Sequence, residues 1–235
     1  MPACLAVALA VAAFPVPARP APPKPTAHTA RDVEGWTVHV DDRLLAGPDA
    51  DLGRRALKCL ECQLHAVALA LPAGKVKRLR LVPIWLDRTH GKLLPAQYHP
   101  SADWLAENGY DRIMAKCVHI PDAKYFADPR HQREQPWATL HELAHAYHDQ
   151  VLGFDDAAVK AAWEAFARGG DYNKVLHVSG RKRRHYALTN RMEFFAEMTE
   201  SYFGHNDFFP FNSGELKREE PEIFKLMATV WGPLP

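Results

Sequence analysis

The chain has 235 residues, of which 47% are hydrophobic, and this is enough apolar material for one sizeable core. Its 29 basic and 28 acidic side chains nearly cancel, leaving a formal net charge of +1. A chain without a strong field of either sign gives no reason to expect nucleic acid or an anionic membrane as a partner. We therefore expect one globular domain whose function lies in a localised site.

The first residues have the composition of an export signal. Residues 4–14 form a run of Ala, Val and Leu that is too short to span a bilayer as a helix, and residues 15–18 end in a small residue where a signal peptidase could cut. We predict a signal peptide and a Pro/Ala-rich linker at residues 1–29, and a single domain at 30–235. A secreted or periplasmic protein without stable membrane insertion follows. The alternative is a disordered Ala/Pro arm or a mistranslated upstream region.

The domain is predicted to open with a strand and a helix. Residues 36–40 alternate between apolar and polar side chains, as a half-buried strand does. Residues 52–71 carry apolar side chains at helical spacing, and Pro72 and Gly74 are expected to end that helix.

Two further strands are predicted before the chain becomes helical. Residues 79–86 read as a strand in which Pro83 suggests a sheet edge or a bulge, and residues 114–120 as a short third strand. We expect the connection between them to be irregular, with a short helix at residues 101–107.

The carboxy-terminal half has a helical pattern throughout. Four helices are predicted there, near residues 136–152, 155–168, 190–203 and 215–231. Strands followed by helices indicate an α+β fold, with a small mixed sheet packed on a mainly helical carboxy-terminal half.

The cysteines do not have the spacing of a structural zinc site. Removal of the leader would take Cys4 and leave Cys59, Cys62 and Cys117, and no second C-x-x-C exists to complete four ligands. We expect either buried thiols or one disulfide that joins Cys117 to Cys59 or Cys62.

The helix near residues 136–152 carries His141 and His145 in the sequence HELAH. Histidines four residues apart on a helix lie one turn above each other, so both imidazoles can reach one tetrahedral cation. Glu142 is directed beside that cation rather than at it. Zinc lowers the pKa of bound water, and an adjacent carboxylate can take its proton, so the motif contains both a metal site and a general base. The alternative is a chance spacing on an amphipathic helix.

A third ligand must come from elsewhere in the chain. His148 lies one turn further along the same helix, and we expect its side chain either to support the ligands from behind or to lie at the surface. The better candidate is Glu193, which shares a helix face with Glu197 in an apolar segment, where carboxylates are expensive to bury without a partner or a metal. The alternatives are a capping box between Asn190 and Glu193, and an exposed helix face for Glu197.

HELAH, then Tyr186, then Glu193 within EFFAE together resemble the catalytic core of the anthrax lethal factor-like metallopeptidases, a gluzincin family of zinc enzymes. The Mlc titration factor A family has a similar EFFA helix and is a more distant likeness. The resemblance covers roughly residues 136–210, about a third of the chain. The large accessory domains of the toxin are missing, so neither cell entry nor its host substrate carries over.

The resemblance implies a zincin-like fold and a role for each matching residue. His141, His145 and Glu193 would bind one zinc ion, and Glu142 would act as general base. Tyr186 would stabilise the developing oxyanion, although an ordinary half-buried loop tyrosine is the alternative. Glu197 would support a ligating imidazole.

These expectations describe a zinc metallohydrolase that cleaves peptide or protein substrates as an endopeptidase. Alternatives are a zinc-binding interaction module without proteolysis and a hydrolase of a non-peptide amide. We further expect residues 114–120 to pair with an extended substrate. The basic run at residues 181–184 is expected to form either a flap that favours acidic substrates or a solvated loop.

Overall fold

The computed structural model describes residues 24–234. The predicted signal peptide and most of the linker lie outside these described residues. The signal peptide, the linker and the secreted or periplasmic location of the protein therefore stay predictions. The first strand begins at His28, which places the start of the folded part inside the predicted linker. Among residues 24–234, no helix combines the length and the apolar character needed to cross a bilayer.

A five-stranded sheet lies in the amino-terminal half. Its strands are β1 (His28–Val33), β2 (Trp36–Asp41), β3 (Ile84–Leu86), β4 (Gln97–Tyr98) and β5 (Val118–Ile120). The spatial order is β1-β2-β3-β5-β4, so β4 lies at one edge. The β2–β3 and β3–β5 pairs are parallel, whereas β1–β2 and β4–β5 are antiparallel. The sheet is therefore small and mixed, as predicted.

A two-residue turn at Glu34 and Gly35 joins β1 to β2. Both residues have positive φ, 55° and 84°, as tight hairpin turns require. A Cβ atom at position 35 would lie 2.6 Å from Nε of Arg80, so glycine is also required because the Arg80 side chain lies so close. Sequence analysis predicted only β2, because β1 (HTARDV) lacks apolar alternation.

Ten α-helices are described between residues 24 and 234. They are α1 (Ala50–Ala70), α2 (Ala73–Leu79), α3 (Ala102–Glu107), α4 (Ala123–Phe126), α5 (Pro129–Glu134), α6 (Ala138–Tyr147), α7 (Ala157–Gly169), α8 (Arg191–Phe203), α9 (Ser213–Glu219) and α10 (Pro221–Trp231). The mixture of a small sheet with a mainly helical second half confirms the predicted α+β composition.

The core lies between α1, the sheet and the helices α6 and α8. The apolar face of α1, which includes Leu60 and Leu64, is fully buried, as are Val38 and Ile84 of the sheet. Each fully buried aliphatic side chain stabilises the fold by roughly 1.5–3 kcal/mol. The helices α1 and α2 form the crossover between the parallel strands β2 and β3.

The predicted strand at residues 79–86 is wrong over its first half. Pro72 separates α1 from α2, and Val76 and Leu79 of α2 are buried. The strand β3 begins only at Ile84. Pro83 stands before the strand and does not mark a sheet edge, because β3 pairs on both sides.

The predicted strand at residues 114–120 is likewise shorter. A 3-10 turn occupies Arg112–Met114, and only Val118–Ile120 forms β5. Both edges of β5 are paired, with β3 and with β4. The hypothesis that residues 114–120 pair with a substrate is therefore wrong, because an extended peptide needs an unpaired strand edge.

The cysteines that remain after residue 23 are free thiols. Cys117 is buried, Cys59 is half-buried and Cys62 is exposed on α1. Cys117 packs in a small cluster with Leu105, and its Sγ lies 2.7 Å from a backbone carbonyl oxygen. The structure thus contains thiols rather than the alternative disulfide.

The carboxy-terminal helices differ from prediction mainly at their breaks. Residues 215–231 form two helices, α9 and α10, because Pro221 starts a new helix. The short helices α4 and α5 were not predicted. The basic run lies in a small hairpin of β6 (Val175–Leu176) and β7 (Lys182–Arg183).

Candidate metal centre

The HELAH sequence lies on α6, which is fixed at its start by a hydrogen bond network to α1. Oε1 of Gln63 accepts hydrogen bonds from the backbone N–H and the hydroxyl of Thr139, at 3.0 and 2.5 Å. The helix begins at Ala138, two residues after the predicted Pro136. Leu140 and Leu143 are fully buried, so the two histidines of the motif project from a rigid element.

The opposing helix α8 begins with a side-chain cap. Oδ1 of Asn190 accepts hydrogen bonds from the backbone N–H groups of Met192 and Glu193, both at 2.9 Å. The cap is therefore real, but the Glu193 carboxylate is directed toward α6. Its Oε2 lies 3.1 Å from Nε2 of His141 and 3.3 Å from Nε2 of His145.

These three donor atoms have the spacing of a zinc site. Bonds of about 2.1 Å at tetrahedral angles separate neighbouring donors by roughly 3.4 Å. The donor atoms of His141, His145 and Glu193 all lie within 4.8 Å of one another. Two imidazoles and one carboxylate are also a common catalytic zinc set. The residues present fit the expected ion.

Charge pairing around His141 keeps the ligand set together. Burial lowers the pKa of His141, but hydrogen bonds with Glu193 and Glu200 outweigh this effect and raise the pKa well above its usual value. Burial raises the pKa of Glu193, and its hydrogen bonds with His141 and His145 reverse this shift, so that the pKa lies well below its usual range. A negative carboxylate thus faces both imidazoles.

The partner behind His141 is Glu200, a residue that sequence analysis missed. Oε1 of Glu200 lies 2.6 Å from Nδ1 of His141 and accepts its hydrogen bond, which leaves Nε2 for a metal. Glu197, expected in this role, has its Oε1 at 3.8 Å from the same nitrogen. Glu193, Glu197 and Glu200 follow the helical spacing i, i+4, i+7, so the sequence did contain a signal for the third carboxylate.

Glu197 does not lie on an exposed helix face, because only 3% of it is accessible. Burial, together with the negative charges of Asp207 and Glu200, raises its pKa well above the usual value. Its Oε2 is a buried oxygen without a hydrogen bond partner. Only an ionised carboxylate at this position would need a positive charge nearby, because an unpaired buried charge is expensive.

Glu200→Gln is expected to weaken zinc binding about 10–100-fold, because the amide is a poorer acceptor for the imidazole N–H. Glu197→Gln on the same helix is the matched control, and we expect a smaller effect because its carboxylate lies further from Nδ1. Competition titration against a zinc-binding dye measures both. An equal or larger effect of Glu197→Gln would contradict the assignment.

Glu142 is held at the centre by the sheet edge. Its Oε2 accepts a hydrogen bond from the backbone N–H of Tyr98 in β4, at 2.6 Å. Burial raises the pKa of Glu142 above its usual value, despite the opposing effect of the nearby histidines. The carboxylate is thus fixed beside the histidine pair and disposed to take up a proton.

Tyr186 lies at the rim of the site. Its ring centroid is 6.4 Å from that of His141, and 45% of the residue is exposed. Burial of the remaining part, with the negative charge of Glu193, raises the pKa of the Tyr186 hydroxyl to about 12. The phenol therefore stays protonated at neutral pH and can donate a hydrogen bond.

The site opens into a cavity of about 490 Å³. The predicted residues His141, Glu142, His145, Tyr186, Glu193 and Glu197 all line it. The cavity is also lined by β4, which ends at Tyr98, and by Arg183 of the β6–β7 hairpin. Arg183 belongs to the basic run, so part of that run faces the cavity. Both Lys182 and Arg183 are also exposed to solvent.

Two other side chains differ from expectation. His148 is fully buried between Phe154 and Phe195, so its expected surface location is wrong, and neither ring nitrogen has a partner. Burial lowers its pKa to about 4. Asp207, which the sequence did not single out, lines the cavity and is almost fully buried. It lies in an irregular loop, where sequence periodicity carries no information.

No family model, curated protein or solved structure matches the chain. The likeness to lethal factor-like metallopeptidases therefore stays a prediction. The functional argument depends on the geometry of the site.

Proposed function

We propose that the protein is a zinc-dependent metallohydrolase, and that it acts as an endopeptidase. The observation that carries the proposal is the position of the Glu193 carboxylate, 3.1 and 3.3 Å from the Nε2 atoms of His141 and His145. Glu142 and Tyr186 line the same cavity. A purely structural metal site needs neither a base nor a phenol at its open side, so their presence favours hydrolysis over an interaction module.

Each side chain has a separate task in this proposal. A zinc ion bound by His141, His145 and Glu193 would lower the pKa of its water toward neutrality and polarise the substrate carbonyl. Glu142 takes the proton of the attacking water and passes it to the leaving nitrogen as the C–N bond breaks. Tyr186 donates a hydrogen bond to the oxygen on which negative charge develops.

The substrate backbone is proposed to add to the edge of the sheet at β4. This strand pairs with β5 on one side only, and Gln97 and Tyr98 line the cavity. The N–H of Tyr98 is already donated to Glu142, so an extended peptide is proposed to pair with the remaining main-chain groups of this edge, which brings its carbonyl carbon to the metal centre. Export of the enzyme is proposed from the composition of residues 1–18.

The proposal is tested by metal removal. We expect the purified protein to cleave members of a random peptide library, to lose this activity after treatment with a chelator, and to regain it on addition of zinc. Mass spectrometry of the new termini measures cleavage. Calcium added in place of zinc is the control and should restore nothing, because the ligand set is rich in imidazole. Cleavage that persists in the chelated protein would overturn the proposal.

A further inference from the structure

A second group of histidine and aspartate side chains, of the types that can bind a metal, lies outside the cavity described above. Its centre is Asp87, which directly follows β3. Oδ2 of Asp87 lies 2.7 Å from Nδ1 of His90 and 2.9 Å from Nε2 of His119. These three donor atoms lie within 4.8 Å of one another.

Two more imidazoles support this group from behind. Nε2 of His28 lies 2.6 Å from Oδ1 of Asp87, the carboxylate oxygen that His90 and His119 do not contact. Nε2 of His99 lies 3.1 Å from Nδ1 of His119. Metal-ligating carboxylates and histidines commonly carry such outer hydrogen bonds, which fix the ring orientation and the tautomer. The cluster therefore has three donor groups and the outer hydrogen bonds that are typical of a metal site.

The cluster is shielded from water. Asp87 and His119 have no exposed surface, and His90 has 7%. Ionisable groups are rarely buried together at this density unless they are paired or bind a metal. The residues come from positions 28, 87, 90 and 119, on β1, after β3 and on β5, so no local motif brought them together.

The surrounding segment has little else to hold it. Residues 88–117 connect β3 to β5 and contain only the two-residue strand β4, the six-residue helix α3 and a 3-10 turn. Apart from Tyr98, which packs in the main core, the buried apolar side chains there form a small separate cluster of Leu105, Tyr110, Met114 and Cys117. The described cysteines are free, so no disulfide secures this segment. Segments with only a small hydrophobic core are commonly stabilised by a structural metal ion.

We propose that Asp87, His90 and His119 bind a second zinc ion, which secures the segment between β3 and β5. Imidazole and carboxylate donors suit Zn²⁺ better than Ca²⁺ or Mg²⁺. The donor atoms must separate to about 3.4 Å to hold the ion, a movement of less than an ångström from their present hydrogen-bonded distances. His28 holds the ligating carboxylate and His99 holds the ligating imidazole of His119.

The second ion has a consequence for the first site. His119 on β5 pairs with Gln97 on β4, and the next residue, Tyr98, donates its N–H to Glu142. An ion bound to His119 therefore stabilises the strand pair that positions the proposed general base. This consequence rests on the proposed function, whereas binding of the second ion does not.

Zinc content of the folded full chain tests the proposal, measured after dialysis against a chelating resin. We expect two zinc ions in the parent protein, one in His90→Gln, and one in the double variant His141→Gln/His145→Gln. His39→Gln is the matched control and should keep both ions, because His39 stacks on Trp85 beside the cluster without contacting Asp87. One ion in the parent and one in His90→Gln would overturn the proposal.

The same set of variants separates the two sites. If only the first proposal fails, the parent and the His141→Gln/His145→Gln variant each hold one ion, and His90→Gln holds none. If His90→Gln does not fold, Co²⁺ added to His141→Gln/His145→Gln provides an independent measurement. Visible d–d absorption of tetrahedral strength supports the Asp87 site, and its absence overturns it.

Discussion

Glu142→Gln is expected to lower kcat/KM about 10²–10⁴-fold on any peptide that the parent cleaves, because the variant lacks a general base. The amide cannot take a proton from the attacking water. It keeps the shape of the side chain, and its oxygen can still accept the hydrogen bond that the backbone N–H of Tyr98 donates. Zinc content should therefore be unchanged.

Glu164→Gln provides the matched control for this variant. Glu164 lies on α7, where its carboxylate is 3.7 Å from Arg168, and it does not line the cavity. The same change of carboxylate to amide should leave kcat/KM within about twofold, since isolated exposed ion pairs contribute little. If Glu142→Gln kept more than about a tenth of the parental kcat/KM with full zinc content, the role of base would have to pass to another group.

The parts of this site that follow from sequence are those on long periodic helices. The spacing of His141 and His145 and the apolar surroundings of Glu193 predicted two facing helices, and the structure brings these three side chains together. Glu200 has the same helical phase and could have been found in the same way. A helix converts spacing along the chain directly into direction in space.

The short strands could not be predicted because an apolar run does not determine its own secondary structure. Three of the four residues at 79–82 are as apolar as those of β3, yet the segment ends a helix and forms a turn. Gln97 and Tyr98 have no strand pattern, and their position at the sheet edge depends on pairing with β5. Contacts of this kind, including those around Asp87, arise from topology, which local periodicity does not encode.

Glu193→Ala is expected to weaken zinc binding at the catalytic site roughly 10³-fold, since sharing a binding free energy of about 12 kcal/mol among the three protein ligands assigns about 4 kcal/mol to each. Hydrolysis should fall in parallel at limiting zinc. Titration in the His90→Gln background confines the measurement to this one site.

Glu215→Ala is a matched control because the chain repeats the same helix start. Oδ1 of Asn212 accepts hydrogen bonds from the N–H groups of Gly214 and Glu215, as Asn190 does from Met192 and Glu193. Each glutamate therefore stands at the third position of a helix capped by asparagine. If Glu193 only stabilised the start of its helix, the free energy of unfolding would fall by about 1 kcal/mol in both variants, and both would bind zinc as the parent does. Because the Glu193 carboxylate lies between the two imidazoles, we expect only Glu193→Ala to lose the metal.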